Sequence, residues 1–155
     1  MRHMVRRIGI AAATAAILVG VAGTGARAAG AVNPYTAEGL CGLGFRTVDQ
    51  DPIHDGATGI RLGTVYLLHN PFTGYGCAVT LKSTYVGVPT RTQVYLDPEW
   101  TPLALDDGDR RYAAGPIYAF VQGGCVIWGG LMEDSAGVHL HDRANPAIGG
   151  AVTCF

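Results

Sequence analysis

The sequence predicts an all-β protein, a compact antiparallel sandwich or barrel of about eight short strands, stabilised by disulfides. Three observations predict it. Apolar and polar residues alternate over short runs, the pattern of a half-buried strand. Glycines and turn dipeptides punctuate those runs. Four cysteines all follow what reads as an export leader.

The leader comes first. "MRHMVRRIG" supplies Arg2, Arg6 and Arg7, "IAAATAAILVGVAG" is apolar, and Ala26-Arg27-Ala28 is an A-x-A cleavage site. That order predicts a secretory signal peptide over residues 1–28. The apolar run is broken by glycine and falls short of the ~20 strongly apolar residues of a membrane span, so no span is expected after cleavage. The remaining 127 residues fit one domain, with a flexible mature N-terminus at 29–40 and a single β domain at 41–155. Losing the leader removes four arginines and no acid, so the formal charge falls from −1 to −5. Seven scattered basic residues form no stripe able to follow a phosphate backbone, which argues against nucleic acid as a partner. Nineteen glycines remain, about twice the usual ~7%, so many tight turns are implied.

Strands are expected near 44–50, 61–69, 76–84, 90–96, 112–121, 124–133, 137–142 and 148–154. In 61–69, Leu62, Thr64, Tyr66 and Leu68 share a face. In 76–84, Cys77, Val79 and Leu81 do, with Thr80 and Lys82 opposite; in 90–96, Thr92, Val94 and Leu96 oppose Arg91 and Gln93. In 137–142, Val138 and Leu140 are expected inside, with His139 and His141 turned to water. Asn33-Pro34, Asn70-Pro71, Asn145-Pro146, Asp55-Gly56 and Asp107-Gly108 mark turns. Residues 97–109, with Asp97, Glu99, Asp106, Asp107 and Asp109, read as a solvated loop.

One pattern occurs twice. At an offset of 52, Asp55-Gly56, Gly63, Val65 and Tyr66 match Asp107-Gly108, Gly115, Ile117 and Tyr118, and at an offset of 48 Gly76-Cys77 matches Gly124-Cys125. This predicts one hairpin design used twice, by duplication or by convergence. If the first strand lies antiparallel beside the second, its start near Cys41 approaches Cys77, and the same argument brings the tail to Cys125. The predicted pairs are Cys41 with Cys77 and Cys125 with Cys154, out of three possible connectivities.

The combination of "GTVYLLHN", "GYGCAVTLKSTYVG", "YAAGPIY" and "GGCVIWGG" with a cysteine near the end resembles the spore-associated protein A family of small secreted actinomycete proteins. The resemblance covers about Cys41 to Cys154 and is most specific over Tyr112–Tyr118 and Cys125–Gly130. It implies an exported protein linked to spores or the cell surface. It implies no activity and no catalytic residue.

The residues offer little chemistry of their own. Ser83 and Ser135, the two serines after the leader, sit in no nucleophile elbow, and neither a phosphate loop nor a dinucleotide fingerprint is present. His139 and His141 are the weak candidates for a metal, but two imidazoles leave a zinc site incomplete. The acids around Trp100 lack the spacing of a calcium loop. The expected function is therefore an exported, non-enzymatic protein associated with the spore or cell surface, without a cofactor. Its partners would be cell-wall or spore-surface components. The alternative is a glycan or wall-polymer binding module using Trp100, Tyr75 and Tyr85; a third is a metal-dependent hydrolase.

Overall fold

The computed structural model describes residues 31–155, so the signal peptide expected at 1–28 lies outside the described residues. A short helix, α1 (Ala37–Cys41), precedes nine strands: β1 (Arg46–His54), β2 (Arg61–Asn70), β3 (Tyr75–Lys82), β4 (Thr90–Pro98), β5 (Ala104–Arg110), β6 (Ala113–Phe120), β7 (Cys125–Asp134), β8 (Gly137–Leu140) and β9 (Ala151–Cys154). They form two sheets. One has the order β1-β2-β3-β6; the other runs β5-β4-β7-β8, with β9 also paired to β7, and every pairing is antiparallel. The fold is an all-β, disulfide-stabilised sandwich.

The main core lies between the sheets, where Val65, Leu67 and Ala78 of the first meet Val94, Leu96, Trp128 and Met132 of the second. The first sheet is buried on its other face as well. There Ala37 and Cys41 of α1 pack on Leu68, Cys77 and Val79, so the middle strands are apolar in near-continuous runs instead of alternating. Thr36 caps the helix by accepting a hydrogen bond from the Gly39 N–H at 3.0 Å, and the Asn33 amide donates to the carbonyls of Lys82 and Tyr112 at 3.0 and 2.7 Å. The segment expected to be flexible at 29–40 is thus, from Asn33 onward, pinned to the sheet.

Lys82 departs further from expectation. It is the chain's only lysine, was placed on the polar face, and is 1% exposed. Its ammonium donates to Val88 O (2.7 Å), Thr90 Oγ1 (2.6 Å) and Arg110 O (3.0 Å), so all three protons are used on neutral acceptors. The lysine thereby ties the β3 end to the loop before β4 and to the end of β5.

Two expectations about connectivity are corrected. Asp107-Gly108, read as a turn in an acidic loop, lies inside β5, an edge strand in which Arg91 pairs with Asp107 and Arg110 with Asp106. The second copy of the repeated hairpin is no hairpin, because β6 pairs with β3 while β7 belongs to the other sheet; the turn between them crosses from sheet to sheet. β6 takes the edge of the first sheet beside β3, Cys77 opposite Tyr118, while β7 finds its partners β4, β8 and β9 in the second.

The disulfides join Cys41 to Cys77 and Cys125 to Cys154. They differ in exposure. Cys41 and Cys77 are buried under α1, whereas Cys125 and Cys154 face each other across β7 and β9 with Cys154 at the surface. Thiol–disulfide exchange requires access for the attacking thiolate. Mild reduction followed by alkylation and peptide mapping is expected to label Cys125 and Cys154 first; simultaneous labelling of all four would contradict the burial argument.

Candidate functional site

The residues singled out for ligand contact do not converge. Tyr75 opens β3, with its ring 5.7 Å from that of Phe120, while Tyr85 follows the end of β3 and donates to Asp134 Oδ2 at 3.1 Å. The two tyrosines lie at opposite ends of the sandwich, roughly 20 Å apart at ~3.3 Å per strand residue. Trp100 follows β4 at the Tyr75 end, where the neighbouring Thr101 hydroxyl donates to Phe120 O at 3.4 Å.

Beside Trp100 lies an open groove of about 470 Å³, lined by Asp97, Pro98, Glu99, Cys125, Ile127 and Val152. Strand geometry creates it. Asp97 is opposite Ile127, and Ile127 opposite Val152, so the three side chains form a row across the outer face of the second sheet. Glu99, two residues on, points to the same side and accepts from the Cys125 N–H at 3.4 Å. Trp100, next to Glu99 in the chain, is 70% exposed, its indole Nε1 only 2.5 Å from where a Cβ on Gly124 would stand. Glycine is what lets the indole sit there. The "LDPEW" stretch carried this arrangement in plain view, since residues two apart on a strand share a face.

A second cluster lies at the edge where β1 meets β8. His139 and His141, expected in water, point inward: His141 is 2% exposed, while Val138 and Leu140 stand out at 52% and 54%. The reversal has a physical cause. Beyond Leu140 the chain leaves β7 to bridge Ile53 of β1, and the His141 imidazole enters the notch between β8 and β9, where Gly129 offers no side chain. A Cβ on Gly129 would overlap both His141 Nε2 and the Tyr95 hydroxyl.

Around His141 the polar groups satisfy one another. Its Nδ1 lies 2.7 Å from Asp51 Oδ2, which also accepts the Arg143 N–H at 2.7 Å. The Arg143 guanidinium grips Asp49 at 2.8 and 3.1 Å and lies 5.1 Å from the centre of the Trp128 ring. Trp128 Nε1 donates to Thr153 Oγ1 at 2.9 Å, and that hydroxyl donates to Asp49 at 3.3 Å. Tyr95, whose hydroxyl is 3.3 Å from His141 Nε2, also hydrogen-bonds Gly149 O. His139 pairs with Asp134 at 2.9 Å and holds that carboxyl below the usual range. His54 pairs with Asp142 at 2.7 Å. Among the described residues no group of three or more His, Cys, Asp or Glu side chains is placed to hold a metal ion. These pairs tie strands together, and no spacing in the sequence joins Asp51 to a histidine ninety residues away.

Burial also perturbs two titrations. It pushes the Lys82 amine down to about 8 and the Tyr95 phenol up to about 12. An unfolded lysine keeps its proton to about pH 10.4, so between about 8 and 10 the unfolded chain binds more protons and stability rises with pH. Above about 10 the sign reverses, because an unfolded tyrosine ionises there while Tyr95 holds its proton. Thermal unfolding from neutral to strongly alkaline pH is expected to show a maximum near pH 10. A steady decline from neutrality would show that Lys82 is not buried as an ammonium.

Comparison with known proteins gives a single consistent relationship. No family model matches the chain, and no solved structure does. The chain is 40% identical over 124 residues to Spore-associated protein A of Streptomyces coelicolor, covering 79% of this chain and 75% of that protein. Among the described residues no helix is long and apolar enough to cross a membrane, and the two disulfides fit an extracellular or surface location. Identity of this extent, over more than three quarters of the chain, establishes that the chain belongs to the spore-associated protein A family.

Proposed function

We propose that this is an exported, non-enzymatic protein that associates with the spore or cell surface and works there as a compact structural or adhesive component. The relationship to a protein named for its association with spores carries the reading. The framework supports it. Two cross-links and a set of inter-strand ion pairs engage the imidazoles of His54, His139 and His141 in holding the sandwich together. The test is immunolocalisation on intact spores and hyphae beside fractionation of the culture. Antigen on the surface or in the surface wash is the expected result; antigen confined to the cytoplasm would refute the proposal.

A second reading, binding of a wall polymer or other glycan, is favoured by one observation. Trp100 stands exposed next to Glu99 of the groove on the second sheet, where an indole face can stack on a sugar ring. Tyr85 takes no part, being at the other end of the molecule.

A further inference from the structure

We propose that the groove beside Trp100 binds a cationic, amine-bearing polysaccharide, a polymer of glucosamine units with free amino groups. The inference rests on the glycan-binding reading and specifies its ligand.

Most acids of the described chain are matched: Asp49 and Asp51 by Arg143, Asp106 by Arg110, Asp107 by Arg91, Asp134 by His139 and Asp142 by His54. Of the rest, Glu38, Asp55 and Asp109 form no salt bridge among the described residues, Glu38 and Asp55 being held by the Thr47 and Thr58 hydroxyls, and Asp97 and Glu99 are set apart by sharing a groove. Among the described residues neither forms a salt bridge, although Asp97 and Glu99 stand on one face, two residues apart, at the same groove. Two neighbouring carboxylates without a counter-ion repel each other and favour a ligand that brings positive charge.

The rest of the groove says what kind of cation. Its floor is apolar, made by Ile127, Val152 and Cys125 of the second disulfide, and the exposed Trp100 stands beside it, against Gly124. A small hydrated metal ion has no use for such a floor, and carboxylates at one rim do not surround an ion with oxygen. A flat ring with C–H faces, hydroxyl edges and an amine fits all three features. Its apolar face lies on the aliphatic floor or the indole, and its ammonium reaches Asp97 or Glu99. The groove is open, as a polymer passing through it requires. It also lies on the face of the second sheet away from the core, while α1 covers the first sheet, so a long chain has free approach.

The experiment is calorimetric titration of the full disulfide-bonded protein at mildly acidic pH, where sugar amines are protonated and carboxylates remain ionised. The probes are a fully deacetylated glucosamine oligomer, its N-acetylated counterpart and an oligolysine peptide of similar length. The expected result is binding of the deacetylated oligomer, weakened by salt. Trp100→Ala and the pair Asp97→Asn with Glu99→Gln should each reduce the affinity about tenfold or more with melting temperature unchanged. Equal binding of the acetylated oligomer, still lost in Trp100→Ala, would overturn the cationic ligand and leave the glycan reading standing. Binding of neither oligomer would overturn both. Oligolysine bound as tightly as the glucosamine oligomer, and unaffected by Trp100→Ala, would overturn the proposal in favour of a basic peptide.

Discussion

Replacing His141 with alanine is expected to lower the unfolding free energy by about 3–5 kcal/mol, the range for taking its partner from a buried carboxylate. The side chains of His141 and Asp51 are 1% and 4% exposed, and the imidazole is the carboxylate's partner at 2.7 Å. Without it Asp51 Oδ2 keeps only the Arg143 N–H and Oδ1 a guanidinium nitrogen 3.4 Å away, and a void opens between Trp128 and the Tyr95 hydroxyl. His54→Ala is the control. Its pair with Asp142 is more than a third exposed on both sides, and exposed pairs contribute less than about 1 kcal/mol. Urea unfolding of the two variants decides the matter: equal, small losses would mean that His141 is not buried against Asp51.

The double variant Cys41→Ala, Cys77→Ala is expected to lose about as much, and more than Cys125→Ala, Cys154→Ala. Chain entropy does not separate the two bridges, since loops of 36 and 29 residues each give roughly 4 kcal/mol and differ by only about 0.2 kcal/mol. Packing does. The first bridge sits inside the cluster that α1 forms with Leu68 and Val79, so its loss also opens a void and frees the helix from β3. The second lies at the surface between strands that remain paired by their ladder. Denaturant midpoints of the two variants are the measurement. A larger loss from the Cys125–Cys154 variant would mean that tail anchoring outweighs the helix-covered core.

Much of the fold was legible because period two is a local property. In β4 the alternation of Thr92, Val94 and Leu96 with Arg91 and Gln93 matches the burial found. It fails where a residue's environment is made by distant chain. Lys82 reads as polar and outward until the loop before β4 and the end of β5 supply its acceptors. His141 reads as solvent-facing because Asp51, Tyr95 and the empty space at Gly129 lie far from it in sequence. β5 was hidden by composition, as "LDDGD" contains a turn dipeptide and carries charge where an edge strand can tolerate it. Of the groove, Asp97, Glu99 and Trp100 were visible as neighbours, but Ile127 and Val152 join them only through the ladders of β7.

The notch at Gly129 has a consequence for how such proteins can diverge. The space that a side chain would occupy there is filled by the His141 ring and the Tyr95 hydroxyl, and Gly150 meets the same hydroxyl. These positions share one volume, so their substitutions are coupled instead of additive. A lineage can acquire a side chain at 129 only after the imidazole at 141 has been lost, and losing the imidazole first strands the Asp51 carboxylate. The order of mutations is therefore constrained. Change at this edge should proceed by concerted replacement of several positions.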